Sequence, residues 1–212
     1  MIKAIFWDND GVLVDTEGLF FRANQETLAD VGFSLGWEQF AEISLVRGES
    51  VLQLAANPRT DAFYQLRRRR DSLYADLLAT EPLVIDGVRE VLDALRGKYV
   101  MGIVTSSSHE HFEIIHRQSQ LLTYFQFVLT LKDYEHSKPH PEPYLKALEL
   151  SGFSLQECLI IEDSPRGLAA AIGAGIRCIV IPSKLTHGNN FAGAYMVLNS
   201  IKELPAVLMD LV

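Results

Sequence analysis

The chain has 212 residues, 48% hydrophobic and 22% charged, with a formal net charge of −8. That composition is ordinary for a globular protein, and at this length a core can be buried without disulfides or a structural metal. The acidic balance argues against nucleic acid, whose phosphate backbone needs a basic face, and no run approaches the ~18 apolar residues of a membrane span.

Taken in chain order, residues 2–7 form a short apolar run that reads as a strand. Residues from about 16 to 81 then carry helical patterns and no convincing strand; Phe20, Ala23, Asn24, Thr27, Leu28 and Val31 suggest one helix, and residues 63–78 another. From there helical and apolar runs alternate. Helices are expected at 88–96, 109–118, 142–150 and 165–174, and strands at 99–105, 125–130, 158–161, 176–181 and 194–198. Runs that are apolar at consecutive positions suit strands buried on both faces. The expected fold is therefore α/β, a doubly wound, Rossmann-like parallel sheet. Residues 1–15 and 82–212 would form this core, and residues 16–81 an inserted, smaller α-helical domain. The connections at 14–17 and 82–87 would act as its hinge.

Cys158 and Cys178 sit in apolar runs and read as buried small hydrophobes, as in a reduced, cytoplasmic protein. Lys3 and the short apolar run before Asp8 do not make a secretory leader. A monomer is expected, since no long exposed apolar helix stands out. The run Arg67–Arg68–Arg69–Arg70 reads as a solvated helix face, partly neutralised by Asp61, Asp71 and Asp76.

In open α/β sheets ligands bind beyond the carboxyl ends of the strands. Four polar clusters fall there: Asp8-Asn9-Asp10-Gly11, Thr105-Ser106-Ser107-Ser108, Lys138 in the loop after the third strand, and Glu162-Asp163-Ser164. Four carboxylates at one sheet edge repel unless a cation sits among them, and hard oxygen donors suit magnesium. Magnesium with a carboxylate nucleophile is a route for phosphoryl transfer through an aspartyl-phosphate. Thr105, Ser106 and Ser107 offer hydroxyls and N–H groups, Lys138 a compact positive charge, and Ser108 the N-cap of the next helix. His109, His111 and His116 lack i, i+4 metal spacing between the last two and are expected at the surface. His136 and His140 flank Lys138, and Pro139, Pro141 and Pro143 stiffen its loop.

In this order, Asp8-Asn9-Asp10-Gly11-Val12, Ile103-Val104-Thr105-Ser106, Ser137-Lys138-Pro139 and Ile160-Ile161-Glu162-Asp163-Ser164 resemble the four motifs of the haloacid dehalogenase superfamily. Residues 11–17 resemble the subgroup of β-phosphoglucomutase and the sugar-phosphate phosphatases. Trp7 departs from the usual Phe before the nucleophile. The resemblance implies that Asp8 attacks phosphorus, while Asp10 protonates the leaving oxygen and then activates water. It implies that Thr105, with Asn9, Ser106 and Ser107, binds the phosphoryl group, and that Lys138 neutralises charge. Magnesium would be held among Asp8, Asp10, Glu162 and Asp163, and the helical insertion would act as a cap over the site.

Asp10 and the Glu162–Asp163 pair oppose a metal-free dehalogenase. No lysine lies between Lys3 and Lys98, which opposes a phosphonatase, whose cap supplies a Schiff-base lysine. A β-phosphoglucomutase carries a histidine where this chain has Phe20, so hydrolysis of a small phosphorylated metabolite, first of all a sugar phosphate, is the favoured reading. The mutase and a non-catalytic phosphometabolite-binding protein are the alternatives. Arg47, beside Gly48, is the candidate to hold a second anionic group of the substrate.

Overall fold

The computed structural model describes residues 1–211. Its α-carbon contacts divide the chain into two compact units, Met1–Asp15 with the segment from Leu83 onward, and Thr16–Pro82.

The first unit is built on six parallel strands: β1 (Ala4–Trp7), β2 (Val100–Val104), β3 (Phe127–Leu129), β4 (Cys158–Glu162), β5 (Arg177–Val180) and β6 (Met196–Val197). Their spatial order is β3-β2-β1-β4-β5-β6, with Trp7 in register with Ile103 on one side and Ile161 on the other. Every strand of the expected set is present. Both faces are buried in the central strands β1 and β4, as their consecutive apolar runs require, whereas Met196 and Val197 of the edge strand β6 are exposed. Ala4, Phe6, Cys158, Ile160, Cys178 and Val180 share one cluster with Tyr144, Ala147, Leu168 and Ala171 of the helices α6 (Glu142–Ser151) and α7 (Pro165–Ala174). The alternate residues Ile5, Trp7, Leu159, Ile161 and Ile179 are equally inaccessible. Cys158 and Cys178 are free, buried thiols.

Local sequence sets the helix starts. Ser108 accepts from the N–H of His111 and opens α5 (His109–Ser119), and Ser164 accepts from Gly167 N–H with Pro165 at the first helical position of α7. The helix α4 (Val88–Leu95) precedes β2, and a short terminal helix, α8 (Leu204–Asp210), was not foreseen. Leu13–Asp15 and Leu83–Ile85 pair in antiparallel fashion, through Asp15 N–H to Leu83 O at 2.8 Å and Ile85 N–H to Leu13 O at 3.1 Å.

The second unit contains α1 (Glu17–Ala29), α2 (Trp37–Phe40) running into a π-helical turn at Ala41–Val46, a 3₁₀ turn at Val51–Leu54, and α3 (Asp61–Thr80). Leu28, Leu35, Phe40, Ile43, Val51, Leu52 and Phe63 form its core. Arg70 corrects the reading of the arginine run. It is only 9% exposed, its guanidinium lies 4.7 Å from the Phe20 ring centroid, and Nε donates to Asp71 at 2.6 Å. Arg67, Arg68 and Arg69 are exposed as expected.

Candidate active site

The strand order reverses at β1 and β4, which places a crevice beyond their carboxyl ends. Asp8 follows β1 directly, and its N–H donates to Ile161 O at 2.9 Å, so β4 fixes its backbone. The chain then turns tightly, with Leu13 N–H and Val14 N–H both donating to Asn9 O. Gly11 sits at φ +84°, and any side-chain carbon there would run into the Asp163 carboxylate. That close approach carries the first loop against the end of β4.

Lys138 is buried at the centre. Its ammonium donates to Asp8 Oδ1 at 2.7 Å, Glu162 Oε1 at 2.7 Å and Val104 O at 2.8 Å, which uses all three protons. Tyr144 donates its hydroxyl to the same Glu162 oxygen at 2.5 Å, and the Lys138 ammonium lies 4.9 Å from the tyrosine ring centroid. The other Glu162 oxygen receives Asp163 N–H at 3.3 Å and Ser164 Oγ at 3.4 Å. Arg166 donates to the Lys138 carbonyl, and the Lys138–Pro139 peptide is cis.

Two carboxyl groups therefore share one ammonium. Burial, then the charge of Glu162, push the Asp8 carboxyl up to about 8, with Lys138 pulling the other way. Burial works against the Lys138 charge, but Asp8 and Glu162 outweigh it and hold that ammonium above its ordinary range. Carboxylate oxygens of Asp8, Glu162 and Asp163, all buried, lie within 4.8 Å of one another. Hard oxygen donors with uncompensated negative charge fit a hard divalent cation.

Asp10 faces the second loop. Its Oδ2 accepts from Ser107 Oγ at 2.7 Å, Thr105 Oγ1 at 3.2 Å and Asn9 Nδ2 at 3.3 Å. Thr105 is itself fixed, because its N–H donates to Leu129 O and its carbonyl accepts from Tyr134 OH at 2.6 Å. Ser106 is exposed in the same turn. Thus Asp8, Asn9, Asp10, Thr105, Ser107, Lys138, Glu162 and Asp163 converge. Arg47 belongs to the helical unit, where it pairs with Glu49 at 3.4 Å and Glu42 at 3.8 Å.

His116 overturns its surface reading. It is 4% exposed, with Nε2 2.8 Å from Asn9 Oδ1 and Nδ1 2.8 Å from Ser119 Oγ. The signal lay in helical spacing: Phe112, Ile115, His116 and Ser119 occur at i, i+3, i+4 and i+7, the buried face of α5. Burial, against a smaller opposing effect of Asp10, drives its pKa down to about 4, so the ring is neutral near pH 7. Tyr134, Tyr144 and Arg166 were also missed. Each reaches the site through one long-range bond that chain spacing does not mark.

A family model described as haloacid dehalogenase-like hydrolase matches residues 5–181. Protein CbbY of Cereibacter sphaeroides is 30% identical over 217 residues, 96% of this chain and 94% of that protein. Hexitol phosphatase B of Escherichia coli K12 is 28% identical over 215 residues, covering 97% and 95%. The crystal structure of a mutant CbbY from Rhodobacter sphaeroides, in complex with xylulose-(1,5)bisphosphate, is 28% identical with a TM-score of 0.83, and the match covers 96% of each chain.

Proposed function

Because the chain belongs to the haloacid dehalogenase-like hydrolase family, we propose that it is a magnesium-dependent phosphatase acting on a small phosphorylated metabolite, with Asp8 as nucleophile. One observation carries this reading. Lys138 holds Asp8 Oδ1 at 2.7 Å, beside the buried carboxylates of Glu162 and Asp163. A carboxylate fixed at one oxygen by a buried ammonium is oriented for in-line attack.

Oδ2 of Asp8 would form the new bond to phosphorus while the ester oxygen leaves with the proton of Asp10. Asp10 would then take a proton from water, whose oxygen attacks the aspartyl-phosphate and frees Asp8 and phosphate. Thr105 and Ser107 hydroxyls, with N–H groups around Asn9 and Ser106, are the proposed donors to the phosphoryl oxygens. Asp8, Asp163 and the Asp10 carbonyl would hold magnesium, which supplies positive charge against the phosphoryl oxygens. Glu162 has both oxygens occupied by hydrogen bonds, so its role is to anchor Lys138 and shape the metal site from behind.

Sugar phosphates lead as the substrate class, in keeping with a relative named hexitol phosphatase and a structural neighbour holding a sugar bisphosphate. Arg47 is the proposed partner of a second anionic group. Hydrolysis stands ahead of a mutase reaction because Phe20 packs edge-on against Phe40 and Tyr74 and brings no proton-transfer group. The test is phosphate release from a panel of sugar phosphates and small phosphorylated acids, in magnesium and in chelator. Magnesium-dependent release that Asp8→Asn abolishes is expected. Turnover surviving Asp8→Asn would overturn the mechanism, and accumulation of an isomerised sugar phosphate would favour the mutase.

A further inference from the structure

We propose that His116 is a positioning residue for Asp10, acting through the side-chain amide of Asn9. The inference rests on the role proposed above for Asp10.

The hydrogen bonds run in one direction. Leu121 N–H donates to Ser119 Oγ at 3.2 Å, and the serine proton is free to donate to His116 Nδ1 at 2.8 Å, the polarity that the Asn9 end selects. An Nδ1 that accepts puts the ring proton on Nε2, which donates to Asn9 Oδ1 at 2.8 Å. With Oδ1 so engaged, Asn9 Nδ2 donates to Asp10 Oδ2 at 3.3 Å. The reverse polarity fails. If Nε2 accepted, the Asn9 amide would have to turn over, and its carbonyl oxygen would face the Asp10 carboxylate, acceptor against acceptor. A charged imidazolium is opposed by burial, since His116 is 4% and Asn9 0% exposed.

The arrangement matters when substrate arrives. Thr105 and Ser107 now donate to Asp10 Oδ2, and they are the hydroxyls proposed to turn to the phosphoryl group. The Asn9 amide, pinned at its far end by His116, does not turn with them. It keeps the Asp10 carboxylate aimed while the other two donors change partner. Ser119 and His116 lie on the buried face of α5, so a rigid helix sets the aim of a residue in a loop.

Two measurements test this. In nitrogen-15 NMR of the wild-type protein at neutral pH, His116 should show the Nε2–H tautomer; an Nδ1–H tautomer or an imidazolium would overturn the chain of bonds. In kinetics, His116→Leu should lower kcat by ~10-fold, a part of the factor general acid–base catalysis contributes, with KM within about twofold. His116→Gln, which retains a donor, should recover most of that loss. A His116→Leu protein with altered melting temperature but unchanged kcat would show a purely structural role and sink the proposal. Should His116→Leu fail to fold, the His116→Gln kinetics and the tautomer decide. Should the wild type release phosphate from no ester, the phosphatase reading fails by itself, while the tautomer still decides the bond chain.

Discussion

Lys138 Nζ stands 2.7 Å from Asp8 Oδ1 at the end of a side chain that is 6% exposed, and the same ammonium is 2.7 Å from Glu162 Oε1. Removing that charge leaves the Glu162 carboxylate buried beside the Asp8 carboxyl without its ammonium partner. Lys138→Met, close in volume, is therefore expected to cost ~3–5 kcal/mol at neutral pH, the range for breaking a buried pair by removing one partner. Urea unfolding measures it. A loss below 1 kcal/mol would mean that Glu162 discharges by taking up a proton at little cost.

The raised Asp8 pKa makes a signed prediction. Without metal this group is held at about 8 against an ordinary 3.8, by burial and then by Glu162, so between those values the folded chain keeps a proton that the unfolded chain has released. Stability from it is full below about 3.8 and is lost as pH rises through about 8. His116 runs the other way. Its pKa is lowered from 6.5 to about 4, so its contribution is gained across that interval as pH rises. The two slopes oppose each other between about 4 and 6.5, leaving a net fall from about 6.5 to 8. Unfolding free energy measured in chelator should drop across that window. Magnesium should flatten the drop and release protons on binding, because a bound cation favours the carboxylate form. A chelator profile that stays flat through the window would show Asp8 ionised throughout.

Two glycines hold carboxylates in place by absence. A methyl group at Gly11 would meet the Asp163 carboxylate and also force an L residue to φ +84°, and one at Gly167 would meet the Glu162 carboxylate. Gly11→Ala is expected to weaken magnesium binding and phosphate release at least ~10-fold, the lower end of what disturbing the support of a metal site costs. Gly167→Ala should act mainly on stability, since Glu162 would have to leave Lys138 and Tyr144. Calorimetric magnesium titration of both variants separates the two effects. Equal magnesium affinity in Gly11→Ala and wild type would deny Asp163 its proposed place as ligand.

Tyr144→Phe removes a hydroxyl from Glu162 Oε1 and keeps the ring beside the Lys138 ammonium. A hydrogen bond to a charged group contributes ~1.5–3 kcal/mol, and a loss in that range is expected on chemical unfolding. A loss under half a kcal/mol would mean that Lys138 alone satisfies that oxygen.

The strands and the four loop clusters were legible because burial on both sheet faces writes consecutive apolar residues into the chain, and each run ends in polar residues. Glu162 shows the limit of that signal: it is the last residue of β4 rather than the first after it, paired there with Val180 of β5, while Lys138 and Tyr144 satisfy its buried side chain. No separate helix is named within residues 37–54, where the chain passes through a π-helical and then a 3₁₀ turn, whose repeats differ from 3.6. Lys138 stood out as a charge beside prolines. Tyr144 and Tyr134 did not, since an aromatic at a buried helical or loop position reads as core until its hydroxyl partner is known. His116 falls on the apolar period of α5 with Phe112, Ile115 and Ser119, a signal that histidine-to-histidine spacing does not carry.

The arginine run supplies a paired test in the helical unit. Arg68 is exposed, whereas Arg70 is buried between the Phe20 ring and Asp71. Arg68→Ala should change stability by no more than ~0.5 kcal/mol, as for most surface substitutions. Arg70→Ala loses a cation–π contact, a charge-assisted hydrogen bond and the packing of its aliphatic stem, and a cost of ~1–3 kcal/mol is expected. Because α1 and α3 belong to one compact unit, the loss should appear as faster amide exchange in residues 16–82, with β1 and β4 of the other unit little affected. Exchange that accelerated equally in both units would mean that they unfold together. Equal costs for Arg68 and Arg70 would return the whole run to a solvated face.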